Sequence, residues 1–253
     1  FGALGDAAEL IPVDVEGVVV EVGREGLVLR TDEGVEYTAS VSPKRMHTRV
    51  VYEGIPEPQV SVSGPGLPQH VIPGMFVDVE MDLTPRRESR HIISSLRIFS
   101  RTADTLLGCF APREEDGFRL EPTPFAQLRE GKYRVVGQLS LRGNLATIAV
   151  PGGVIRGRIA NTPLVQLEVA DHRFAVRGDH VALVGFSPTL PFVFATQLTV
   201  KRREEPLAIP PKREAVVEAD VAKPPMERKP EVENPDTAET SPERKPLTIL
   251  KVN

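Results

Sequence analysis

Tryptophan is absent from the 253 residues, tyrosine occurs three times and cysteine once. With so few large amphipathic rings, aromatic platforms cannot dominate a binding surface. The single thiol, Cys109, excludes an internal disulfide, a cysteine-rich zinc site and a CxxC redox pair. No apolar run approaches the ~18–20 residues a helix needs to cross a bilayer. A strong excess of one charge is also missing. The 31 lysines and arginines against 35 aspartates and glutamates give −4, which argues against a chain-wide preference for nucleic acid or anionic membranes. The chain starts at Phe1 instead of Met, and its first residues already read as mature sequence. An exported or periplasmic location is therefore expected ahead of a cytoplasmic one.

Signatures of catalysis are equally scarce. The glycine-containing turns at 23–26, 64–66 and 151–153 do not lie between a strand and a long helix, as a phosphate cradle requires. His47, His70, His91, His172 and His180 lack metal-site spacing. The echo of Asp171-His172 in Asp179-His180 reads as surface turn residues. No GxSxG elbow or Ser-x-x-Lys motif occurs. Asp78, Glu80 and Asp82 alternate with apolar neighbours, as a solvated strand face does. The expectation is a protein without enzymatic activity, with no cofactor and no metal implied.

What the chain does have is period-two alternation of β-branched residues, the pattern of half-buried strands. Strands are expected at 13–22, 27–31, 35–41, 60–62, 75–83 and 92–99, separated by glycine-rich or proline-rich turns. The second half resembles the first. With Gly137 laid on Gly17, Val135–Leu141 matches Val15–Glu21, and Val176–Leu183 lies on Ile72–Val79. Gln197–Val200 matches Ser95–Ile98, and Leu164–Val169 parallels Val60–Val62. Gly17 to Gly74 spans 57 positions and Gly137 to Gly178 spans 41. The excess of 16 corresponds to an excursion at 43–58 that only the first half carries. Self-similarity of this kind predicts a repeated supersecondary unit.

The organisation expected is thus a β-module at 13–101 with an insertion at 43–58, a linker at 102–131 and a second β-module at 132–203. Within the linker, Thr123-Pro124 ahead of Phe125–Glu130 and Gly131 predicts a short capped helix. From 204 to 253 the chain holds nine prolines, nineteen charged residues and no aromatic residue, which predicts a disordered tail. Residues 247–252 alternate like a strand and could add to an open sheet edge. The fold class expected is all-β, two tandem small barrels of OB-like or SH3-like type, with β-sandwich modules as the alternative.

Fold alone does not specify function. The leading expectation is a binding or scaffolding protein whose barrel loops meet a protein or polymer partner. The alternative is oligonucleotide binding through the basic residues of the first module. Lys44, Arg45, His47 and Arg49 lie in the insertion, and Arg86, Arg87 and Arg90, followed by His91, lie in a loop between strands. Brought together at one barrel end, they would form a cationic patch on an acidic protein.

Overall fold

The alternating segments do form strands. The computed structural model of the chain describes residues 10–41, 56–113 and 117–213, and these contain twelve strands and three short 3-10 turns. In chain order the strands are β1 (Ile11–Val22), β2 (Gly26–Arg30), β3 (Glu36–Ser40), β4 (Gln59–Gly66), β5 (Phe76–Leu83) and β6 (Ile93–Phe99). Then follow β7 (Gly108–Phe110), β8 (Gly131–Arg142), β9 (Leu145–Val150), β10 (Gly153–Val169), β11 (His180–Thr189) and β12 (Phe192–Lys201).

The strands close into circuits of ladders. One ring of ladders runs β1–β2–β3–β12–β11 and returns to β1, with only the β3–β12 junction parallel. A second circuit runs β8–β9–β10–β6–β5 and returns to β8, with only β10–β6 parallel. Each ring takes three consecutive strands from one half of the sequence and two from the other. The segment 102–131 therefore separates the two halves of the chain but does not separate the rings. Closure pairs each strand of a ring on both sides over part of its length and lets the inward residues of each strand meet in one core. Leu27, Leu29, Leu183, Val193 and Leu198 fill the first ring, and Val79, Leu83, Ile98, Leu139, Ile148 and Ile155 the second.

Residues superposed by the sequence comparison occupy matching ladder positions. Val15 faces Leu183 across β1–β11, and Val135 faces Val79 across β8–β5. Gly178 N donates to Val19 O at 2.9 Å, and Gly74 N to Leu139 O at 2.7 Å. Both donors sit at positive φ, 92° and 93°, where glycine is unstrained. Between the rings, β4 pairs antiparallel with the second part of β10, and its ladder is centred on Gly64 opposite Leu167. Nearby, the rings of His70 and Phe174, from two matching 3-10 turns, stack edge-on at 5.4 Å.

Several expectations are corrected. The segment at 123–131 is a three-residue 3-10 turn, Phe125–Gln127, and Leu128 returns to extended backbone. Thr123 N is already committed to Cys109 O at 2.7 Å, and the Phe125 ring seats against Gly152 and Gly153. Tertiary contacts thus override the local helix signal. Residues 153–169 form one continuous strand in place of two. Within the linker, β7 adds to the outer side of β8. Residues 204–213, expected to be disordered, lie along the first ring: Leu207 N bonds Gly178 O at 2.8 Å, the Arg30 guanidinium bonds Pro210 O at 2.6 Å, and Arg213 N bonds Gly34 O at 3.0 Å. Residues 214–253, with the strand-like 247–252, are outside the described residues, as is most of the insertion at 43–58.

Candidate binding surfaces

The connection from β5 to β6 carries Arg86, Arg87 and Arg90. Thr84 N donates to Glu88 O at 2.8 Å and Arg87 N to Thr84 O at 2.9 Å, which folds the loop tightly and leaves Arg87 at φ 61°. Its backbone docks on β10, with Ser89 N bonded to Arg156 O at 2.7 Å. The three arginines have different surroundings. Arg90 is held by Glu130 at 2.8 Å and approaches Asp82 at 3.7 Å. Arg87 lies over the Phe125 ring at 4.2 Å. Arg86 is exposed and makes no ion pair among the described residues.

Beside this loop, β10 turns Arg156 and Arg158 outward, and with Arg90, His91 and Ser89 they line a hollow of about 470 Å³. These two arginines were not singled out from the sequence. The available signal was their alternation with the buried Ile155, Gly157 and Ile159. Lys44, Arg45, His47 and Arg49 lie outside the described residues. The last described residue before them, Val41, follows β3 of the first ring, whereas the β5–β6 loop belongs to the second.

A second surface lies on the outer face of the second ring. Asp78 of β5 was expected on a solvated face, yet its side chain is only 11% exposed and sits between two guanidiniums. Arg134 of β8 donates to both carboxylate oxygens, at 2.9 and 2.7 Å, and Arg97 of β6 donates at 2.7 Å while also reaching Glu168 at 2.7 Å. Burial raises the carboxyl pKa, but the hydrogen bonds from Arg134 and Arg97 outweigh it and hold Asp78 below the ordinary carboxylate value. Arg97 stacks toward Phe99, Arg134 toward Phe110 and Arg101 toward Phe76, at 5.5, 5.8 and 5.7 Å.

Arg97 and Arg134 are shared walls of two adjoining grooves of about 560 and 510 Å³. The floor of the larger is apolar: Phe99, Phe110 and Val136 form a small buried cluster, distinct from the main core, with Phe118 packed against it. The rim is apolar too. Leu106 and Leu120 are 58% and 75% exposed at the larger groove, and Leu164 is 76% exposed at the smaller. The loops at 100–107 and 117–122 supply most of this rim.

Polar groups are also buried beside the first ring. His172 and Asp179, expected as surface turn residues, are 6% and 1% exposed. His172 Nε2 lies 3.1 Å from Gly23 O, and Asp179 accepts from Val176 N at 2.8 Å beside Arg202. They are buried because the turns that carry them pack against strands distant in sequence, which local pattern does not reveal. Burial pushes the Asp179 carboxyl pKa up. Among the described residues there is no cluster of three or more metal-ligating side chains, and no helix long and apolar enough to cross a membrane. No family model, curated protein or solved structure matches the chain.

Proposed function

We propose that the chain is a non-enzymatic binding protein that receives an apolar, acid-bearing segment of a protein partner in the grooves of the second ring. The observation that carries this reading is the exposed leucine rim above an apolar floor, walled by arginines already fixed in place. Large exposed apolar residues gathered around a concave surface mark binding sites more often than isolated ones do. Asp78 holds Arg97 and Arg134 in one orientation. A partner carboxylate meeting their remaining N–H groups would therefore cost little further side-chain entropy. The leucines would supply the apolar contact area, and Arg97 and Arg134 would set register.

The test is selection of peptides from a random library on the intact protein, followed by binding to variants. Leu106→Asp with Leu120→Asp should weaken selected peptides by at least about tenfold, roughly 1.4 kcal/mol. Equal binding to this double variant would overturn the reading.

A second reading rests on the hollow beside the β5–β6 loop. The order of strands round the first ring, first–second–third–fifth–fourth, and its circular permutation in the second support an OB-like barrel, a fold in which loops and the face of strands two and three carry oligonucleotides. Arg86, Arg90, Arg156 and Arg158 gather in that region. Oligonucleotide binding there should fall steeply with added salt and should fall again when Arg86, Arg156 and Arg158 are neutralised together. A gel shift insensitive to both changes would eliminate it.

A further inference from the structure

Residues 204–213 follow β12 and lie along the first ring, yet none of them is buried and they form no strand or helix. Directed contacts hold them. The Leu207 N–H donates to Gly178 O at 2.8 Å and the Arg213 N–H to Gly34 O at 3.0 Å. Between these anchors, Arg30 Nη1 donates to Pro210 O at 2.6 Å. Proline segments leave their carbonyls without internal partners, so a fixed donor can recognise them. Glu36 fixes this one. Its Oε1 takes Arg30 Nε and Nη2, at 3.2 and 2.5 Å, and its Oε2 meets Lys212 Nζ at 2.6 Å. Two glycines at positive φ complete the seat: a Cβ on Gly178 would collide with Pro206, and one on Gly34 with Pro211 O. Among the described residues, the second ring has no such seat. The pair matching Arg30 and Glu36 is Ala149 and Val154. Nothing lies within 4 Å of a Cβ placed on Gly74, which matches Gly178, and Phe125 covers Gly152 and Gly153.

We infer that this face of the first ring is a docking surface for a proline-containing, basic segment of a partner protein, and that residues 206–213 occupy it until such a segment displaces them. The chain's own occupant, Pro206-Leu-Ala-Ile-Pro-Pro-Lys-Arg213, states the chemistry that fits. Arg30 selects a free carbonyl within the proline pair. Glu36 selects a lysine or arginine two residues further on. Gly178 and Gly34 admit the chain close to the ring. Proline-rich segments commonly dock in aromatic-lined grooves. This chain has no tryptophan and three tyrosines, and here two glycines and a fixed guanidinium take the place of rings. A segment held by a few hydrogen bonds and little buried area opens locally at low cost. Its tether makes it an intramolecular competitor, so a partner gains access only by outcompeting it.

The probe is a fluorescent peptide of residues 204–213, titrated against the full-length protein and read by anisotropy. In the double variant Leu207→Pro, Lys212→Glu the resident segment loses its first donor and its ion pair. The peptide should bind this variant at least about tenfold more tightly than the wild type, where the tethered segment competes. Adding Glu36→Lys should weaken binding about tenfold, and the peptide carrying Lys212→Glu should recover it. Recovery by the charge swap separates recognition from loss of fold. In the wild type, the Leu207 and Arg213 amides should exchange with solvent at least about tenfold faster than those of Leu198 and Val200 in β12. Equal peptide binding by the wild type and the double variant would overturn the inference, and so would Leu207 and Arg213 amides as slow as those of β12. Wild-type dimers in sedimentation that the double variant does not form would also overturn it, by assigning the face to a second copy of the chain.

Discussion

Asp78 illustrates how far a single residue can be read from its neighbours. Its alternation with Val77 and Val79 gives its face correctly, but the partners that enclose it, Arg97 and Arg134, are 19 and 56 positions away. Nothing in the local pattern identifies them. The pairing has a pH signature. Because the folded carboxyl titrates below its unfolded value of 3.8, its stabilisation is complete above that pH and is lost as pH falls through the lower folded value. Asp78→Asn should lower stability at neutral pH by about 2 kcal/mol, because the amide carries no charge, keeps one acceptor oxygen and turns an NH2 donor toward a guanidinium. In acid the two proteins should converge, and denaturant melts across that range would check it. His70 behaves similarly. Its Nδ1 accepts from Leu67 N at 3.0 Å and lies 3.2 Å from an Arg202 nitrogen. Burial and the adjacent Arg202 hold its pKa below 6.5, so stability should fall as pH drops below that value. Phe174 already occupies the matching position in the other turn. His70→Phe should therefore keep the ring packing and flatten thermal stability below pH 6.5, although the lost acceptor costs about 1 kcal/mol at every pH.

At the scale of elements, the strands were legible because alternation is a local property, and the two half-chain patterns could be laid on each other through Gly17 and Gly137. The structure gives these two glycines a physical reason. A Cβ on Gly17 would meet Arg30 O, and one on Gly137 would meet Ala149 O, each closer than the 3.0 Å that real Cβ atoms keep. In both rings the neighbouring backbone comes close at this glycine. Gly17→Ala and Gly137→Ala should each cost about 1–3 kcal/mol through forced displacement of the facing strand. Both losses should show as a lower denaturation midpoint with an unchanged slope. The misread elements failed for a shared reason. The capped-helix pattern at 123–131 and the disorder expected at 204–213 were both overridden by contacts with distant strands, and no window of local sequence carries those contacts. The same applies to Leu106, Leu120 and Leu164, which read as unremarkable loop or strand residues until the barrel gathers them round two grooves.

For the whole molecule, the arrangement of strands decides how it can unfold. If each half of the sequence closed its own barrel, residues 10–101 would hold a complete ring and fold alone. The ladders are distributed otherwise: β1–β3 close on β11 and β12, and β5 and β6 close on β8–β10. Neither half contains a complete ring; the five strands of the second lie together in residues 76–169, and β4, paired with both β10 and β12, joins that ring to the first, so one folding transition is the expected outcome. Leu29→Ala in the first ring and Ile155→Ala in the second remove fully buried side chains. Each should cost about 2–5 kcal/mol. Each should also shift a single common transition, seen as coincident melts by different probes. A chain cut to residues 10–101 should be unfolded when dilute. Its β1–β3 and β5–β6 could complete rings only by exchange with a second copy, since the two halves occupy matching ladder positions. Any folding of that fragment should therefore depend on concentration and appear as a dimer in sedimentation. A folded, concentration-independent monomer of residues 10–101 would show that a half-chain can close a barrel by itself, and the pairing of the two half-chains would then not be what holds the molecule together.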